Sequence, residues 1–142
     1  MLGVGFATRE TAMNFAVLIV DDEPLVRELL AEMLSGMSLV IFEAADSRDA
    51  LEILEKRAYQ VAILITDVRM PGELDGLDLA NVVQKSWPWI RVIVMSGHYE
   101  TGPDRLPRNA RYLTKPWQSH EMVENVTKAA SEFHAMQTGV GR

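Results

Sequence analysis

The sequence predicts a doubly wound α/β domain: a parallel sheet of five strands in the order 2-1-3-4-5 with about five helices, the fourth short or irregular. Three observations carry this. Short apolar runs rich in β-branched residues recur along the chain, and most do not alternate, as strands buried on both faces read. Between them, apolar residues fall three and four apart, as on amphipathic helices. The chain has 142 residues, 48% of them apolar, enough for the core of one domain and against intrinsic disorder.

The strands are read at Phe15 to Val20 (FAVLIV), Leu39 to Phe42 (LVIF), Val61 to Ile65 (VAILI) and Ile90 to Met95 (IRVIVM), with a weaker fifth at Arg111 to Leu113 (RYL). Pro24 suits a first helical position, and Val26, Leu29, Leu30, Met33 and Leu34 then line one face. Asp46 or Ser47 can cap a second helix that turns Ala50, Leu51 and Leu54 inward. Asp75 to Ser86 forms a third, with Leu79, Val82 and Val83 inward. Ser119 to about His134 forms the last, with Met122, Val126, Ala129 and Phe133 on one stripe. Between them, His98 to Ala110 carries Gly102, Pro103 and Pro107, which oppose a regular helix. Residues 1–13 are read as an N-terminal tail, 14–136 as the domain and 137–142 as a C-terminal tail, with no effector domain and Met13 a second candidate start.

Bulk properties exclude several classes. The net charge of −6 and pI near 5.0 oppose a nucleic-acid binder held by its overall field. The absence of cysteine excludes disulfide scaffolds, thiolate zinc sites and cysteine nucleophiles, and fits a cytoplasmic setting. No apolar run approaches the roughly 20 residues that span a bilayer, and no secretion leader is legible, so no membrane partner is expected.

In open α/β sheets, sites form at the carboxyl ends of the strands. Here strand one ends in Asp21, Asp22 and Glu23, strand three in Thr66 and Asp67, strand four in Ser96 and Gly97, and strand five in Thr114, Lys115 and Pro116. Strand two contributes nothing conspicuous. Gathered carboxylates repel, and burial adds to the cost, so a cation should compensate. Oxygen ligands with no His or Cys beside them favour Mg²⁺. Lys115 can pair with a phosphoryl oxygen and the Ser96 hydroxyl can donate to another, which with Asp67 as nucleophile makes the parts for phosphoryl transfer to an aspartate. Each piece alone has a plainer account: a solvated helix start for Asp21 and Asp22, a turn for Asp67, a loop for Ser96, a solvated lysine for Lys115. Their conjunction at every strand end facing the crevice favours chemistry.

With these residues in place the sequence resembles the receiver domain of bacterial two-component response regulators, over about residues 14 to 135. The resemblance rests on VLIVDDEPLVR, ITDVRMPG followed by DG, VIVMSGH and YLTKPW, in the family's order and spacing. It implies a flavodoxin-like fold and a phosphoryl group accepted on Asp67 from a histidine kinase or histidine phosphotransfer protein. Asp22 and Asp67 would then bind Mg²⁺ through carboxylates, Arg69 through its carbonyl and Asp21 mainly through water. Ser96 matches the switch hydroxyl, Tyr112 the switch aromatic and Lys115 the catalytic lysine, and Lys115-Pro116 would be a cis bond. Phosphorylation would shift a population: Ser96 moves inward, Tyr112 fills the space, and the surface changes for a downstream protein partner not yet known.

Three departures stand out. The loop from Met70 to Gly76 is one residue longer than usual, the fourth-helix region is broken by proline and glycine, and Arg69 and His98 flank the site where their bulk and charge can set the lifetime of the acyl phosphate. Arg105, Arg108 and Arg111 form a small basic group that a solvated loop explains without nucleic acid. The expected function is a stand-alone receiver acting through phosphorylation-dependent protein contacts, or as a phosphorelay intermediate or sink, and not a conventional enzyme. Two alternatives remain. A small aspartate-nucleophile phosphatase would need an acid two residues past Asp67, where Arg69 stands. A degenerate receiver would act without phosphorylation.

Overall fold

Strand β1 (Ala16–Val20) shows why the apolar runs do not alternate. All five of its residues are buried, and successive side chains feed two different cores. Ala16, Leu18 and Val20 enter one core, while Val17 and Ile19 enter the other on the opposite face of the sheet. In the computed structural model, which describes residues 15–97 and 106–138, β2 (Val40–Ala44), β3 (Val61–Asp67), β4 (Arg91–Ser96) and β5 (Arg111–Thr114) complete the sheet. All pairings are parallel and the order is β2-β1-β3-β4-β5, as the sequence predicts.

Four helices lie among the described residues: α1 (Pro24–Leu34), α2 (Ser47–Arg57), α3 (Gly76–Ser86) and α4 (Ser119–Thr138). The core on one face is closed by Ala50 and Leu54 of α2 and by Leu77, Leu79, Ala80 and Val83 of α3. The other is closed by Leu30 and Leu34 of α1 and by Met122, Val126, Ala129 and Phe133 of α4. The predicted stripes of α2 and α4 thus face inward, as do Leu79 and Val83 of α3, whereas Val82 is only half-buried. On α1 the stripe is narrower than expected, because Leu29 is 53% exposed beside Leu25 at 77%. The seat of α1 on the sheet is centred on Leu30 and Leu34, and Leu29, about 100° around the axis from Leu30, falls on the solvent side.

The ends follow local chemistry. Asp46, not Ser47, caps α2, its side chain accepting from the Asp49 N–H at 2.9 Å. Asp75 and Asp78 form a reciprocal capping box at the start of α3, so the longer preceding loop does not displace that helix start. Strand β2 sits at the sheet edge with only Ala44 fully buried. A bulge where β1 meets β3 sends Ala62 and Ile63 into the same core.

Of the fourth-helix region, residues 106–110 are described and form a turn, with Asn109 at φ 71° and the Ala110 N–H donating to the Pro107 carbonyl at 3.2 Å. His98 and the N-terminal tail lie outside the described residues, as do residues 139–142. No helix among the described residues is long and apolar enough to cross a membrane.

Candidate functional site

The carboxyl ends of β1, β3, β4 and β5 meet on one rim, and main-chain bonds lock them there. The Asp21 N–H donates to the Ala44 carbonyl (3.1 Å), the Val68 N–H to Met95 (3.0 Å) and the Lys115 N–H to Ser96 (2.7 Å). Tied to the strands in this way, the side chains that leave the rim start from fixed positions.

Asp21, Asp22 and Asp67 converge there, each offering a carboxylate oxygen within 4.8 Å of the others. Asp21 is fully buried and Asp67 is 5% exposed, while Asp22 opens to solvent. Asp67 Oδ1 accepts from Lys115 Nζ at 3.0 Å and from the Val68 N–H at 3.0 Å, which anchors that oxygen. Burial pushes the Asp21 carboxyl up from 3.8 to about 6; the Glu23 N–H, bonded to Oδ1 at 2.9 Å, opposes this, Asp67 adds to it, Lys115 opposes it and Asp22 adds to it.

The other Asp21 oxygen, Oδ2, is buried without a hydrogen-bond partner. A buried, orphaned anionic acceptor beside two further carboxylates is costly as it stands and becomes favourable beside a cation. Since the donors are all oxygens, the set fits a hard divalent ion such as Mg²⁺.

The remaining sequence candidates also come to this rim or next to it. Ser96 is fully buried, its hydroxyl donating to the Gly97 carbonyl at 3.0 Å. Tyr112 is half-buried on β5. In register Tyr112 pairs with Val94 and Thr114 with Ser96, which places Tyr112 on the same sheet face as Ser96, one pleat repeat toward the amino end. Arg69 is exposed and lines a 460 Å³ cleft with Asp22, Val68, Met70, Pro71 and Asp75. Lys115-Pro116 is cis.

Two features escaped the sequence reading. Gly76 packs so closely on β3 that a Cβ there would stand 1.6 Å from the Asp67 carbonyl oxygen and 2.9 Å from Val68 Cα. Its N–H donates to the Val68 carbonyl at 2.8 Å, so the loop after Asp67 folds back directly onto the strand end. The DG pair was legible as a motif, but the close approach was not. Arg27 is the second: it bridges the Asp21 carbonyl and Glu43 on β2, a strand the sequence left without a part in the site.

Residues 17–127 match the family model described as the response regulator receiver domain. Over 117 residues the chain is 35% identical to an NtrX-like response regulator of Rickettsia conorii, covering 80% of this chain and 24% of that protein. It is 36% identical over 113 residues to the sensor kinase CckA of Brucella abortus, covering 78% of this chain and 12% of the kinase. The crystal structure of the receiver domain of NtrX from Brucella abortus is 30% identical with a TM-score of 0.73, covering 81% of this chain and 98% of that one. The chain therefore spans a small part of the longer relatives and nearly all of the solved domain.

Proposed function

The chain belongs to the response regulator receiver family, and from that membership and the rim geometry we propose that Asp67 accepts a phosphoryl group from a histidine kinase or histidine phosphotransfer protein. The observation that carries this is the Asp67 carboxylate, nearly buried, held at 3.0 Å by Lys115 and flanked by two further aspartates. An Asp67 oxygen attacks phosphorus; the new O–P bond forms as the P–N bond of the donor phosphohistidine breaks, and the imidazole leaves with the electron pair. Lys115 neutralises charge on the transferring group, and Ser96 donates to one of its oxygens after giving up its bond to Gly97. Asp22, Asp67 and the Arg69 carbonyl would hold Mg²⁺ directly and Asp21 through water. When bound, Mg²⁺ supplies positive charge at the oxygens of the phosphoryl group.

The output is a shift in population. Ser96 and Tyr112 share a sheet face on adjacent strands, so movement of the Ser96 side chain toward the phosphoryl group opens space on the path of the Tyr112 ring. The surface near β5 would then present differently to a downstream protein. A stand-alone messenger and a phosphorelay intermediate use the same chemistry.

The test is intact mass after incubation with Mg²⁺ and acetyl phosphate, for wild type and Asp67→Asn. One phosphoryl adduct that needs Mg²⁺ and disappears in the variant is the expected result. No wild-type adduct from acetyl phosphate or from a phosphorylated histidine kinase would refute it, and multiple turnover of a small phosphate ester would favour a phosphatase instead.

A further inference from the structure

Arg27 takes no part in the phosphoryl-transfer scheme above, yet its side chain is committed to the site. Its Nη1 donates to the Asp21 carbonyl oxygen at 2.7 Å and its Nε to Glu43 Oε1 at 3.3 Å. The side chain is 18% exposed, well covered for an arginine beside a helix start. Because α1 begins at Pro24, Arg27 lies in its first turn and reaches back across the helix end to the strand it follows.

The Asp21 carbonyl lies in the same rigid peptide plane as the Asp22 nitrogen. Fixing that oxygen fixes the plane, and with it the direction in which the chain carries Asp22 off the strand. The rest of Asp21 is already anchored: its N–H on the Ala44 carbonyl at 3.1 Å, its Oδ1 on the Glu23 N–H at 2.9 Å. The Arg27 bond fixes its main-chain carbonyl. Both Ala44 and Glu43 belong to β2, so the edge strand holds the acidic turn twice, directly and through the arginine.

We infer that Arg27 is a positioning residue for the cation site: oriented by Glu43, its guanidinium fork holds the Asp21-Asp22 peptide in the geometry that receives Mg²⁺. The inference rests on the proposed Mg²⁺-assisted function. The contribution is geometric, because the cation acting on the Asp21 carboxyl is Lys115, whereas the Arg27 fork faces the main chain and Glu43. A guanidinium can hold both acceptors at once through separate N–H groups in a fixed plane; an ammonium of the same charge lacks that fork.

Calorimetric titration of the full chain with Mg²⁺ tests it, using wild type, Arg27→Lys, Arg27→Ala, Glu43→Gln and the Arg27→Ala/Glu43→Gln double variant, with urea midpoints of the metal-free proteins alongside. Arg27→Ala should weaken Mg²⁺ binding about tenfold. Arg27→Lys, which keeps the charge and the helix, should fall between it and wild type. Glu43→Gln should weaken binding on its own and add nothing once Arg27 is gone. Wild-type affinity in Arg27→Lys would overturn the inference, because charge alone would then suffice, and it does so even where Arg27→Ala fails to fold. A full effect of Glu43→Gln in the Arg27→Ala background would overturn it as well. A wild-type chain that takes up no Mg²⁺ overturns both this and the function on which it rests; normal wild-type uptake with unchanged variants overturns this alone.

Discussion

Asp21 is where stability and function pull in opposite directions, and Asp21→Asn separates them. Burial raises its carboxyl from 3.8 to about 6, so the folded chain binds that proton more tightly than the unfolded chain. The stability due to the protonated group is fully present below the unfolded value and is lost as pH rises through the folded one, which is the reverse of a salt-bridged aspartate. At about 1.4 kcal/mol for each tenfold change, the interval amounts to about 3 kcal/mol near neutral pH. Asparagine keeps an oxygen for the Glu23 N–H and replaces the orphaned Oδ2 with a neutral N–H donor in a group beside two further carboxylates. The metal-free Asp21→Asn protein should therefore be about 2 to 3 kcal/mol more stable near pH 7.5, moving the urea midpoint up by about 1 M. Near pH 4 the gain should shrink to a small residue, since wild-type Asp21 is by then largely protonated. Saturating Mg²⁺ should narrow the difference, because wild type gains more binding free energy than the variant. Urea melts followed by tryptophan fluorescence, with and without Mg²⁺ at both pH values, measure all of this. An equal gain at both pH values would refute the reasoning by showing that packing and not charge is relieved; no gain near neutral pH would refute it outright.

Three further outcomes follow from the rim. Gly76→Ala drives a Cβ to 1.6 Å from the backbone oxygen of Asp67, where no side chain can yield; a loss of about 3 kcal/mol is expected in urea denaturation, and acetyl phosphate labelling should fall with it. Lys115→Ala removes the ammonium that holds Asp67 at 3.0 Å, and should slow phosphorylation by acetyl phosphate about a hundredfold while the urea transition stays cooperative. Leu25 and Leu29, exposed at 77% and 53%, lie one turn apart on the helix that starts beside the acidic turn. Replacing both with Glu should slow transfer from a cognate phosphohistidine donor about tenfold and leave the acetyl phosphate reaction unchanged; equal slowing of both reactions would argue for damage to the site.

Most of this architecture was legible because the relevant patterns are local. A strand buried on both faces shows as an unbroken apolar run, and β1 divides its side chains between two cores as that pattern requires. The stripe Met122, Val126, Ala129 and Phe133 needed only the helical period. The residues at each strand end were readable because the α/β topology brings those ends to one rim. What escaped depends on neighbours remote in sequence. Leu29 has the right period for burial, but the seat of α1 decides which border of its stripe meets solvent. Arg27 and Glu43 lie 16 residues apart on different elements, and no spacing rule links them. The constraint on Gly76 exists only because the loop after Asp67 returns onto its own strand.

The rim is tied together through its main chain, while its side chains bond locally, and that division would suit the proposed switch. Backbone bonds from Asp21, Val68 and Lys115 tie the strand ends to one another, so a charge added at Asp67 has little main chain to displace. Ser96, by contrast, spends its hydroxyl on the carbonyl of the next residue, at 3.0 Å, an ordinary neutral hydrogen bond. A phosphoryl oxygen is an anionic acceptor, and charge-assisted bonds are roughly twice as strong as neutral ones, so on the proposed function the exchange at Ser96 would run downhill once Asp67 is modified. In that proposal the face that Ser96 shares with Tyr112 would carry the change to a half-buried ring at the edge of the sheet.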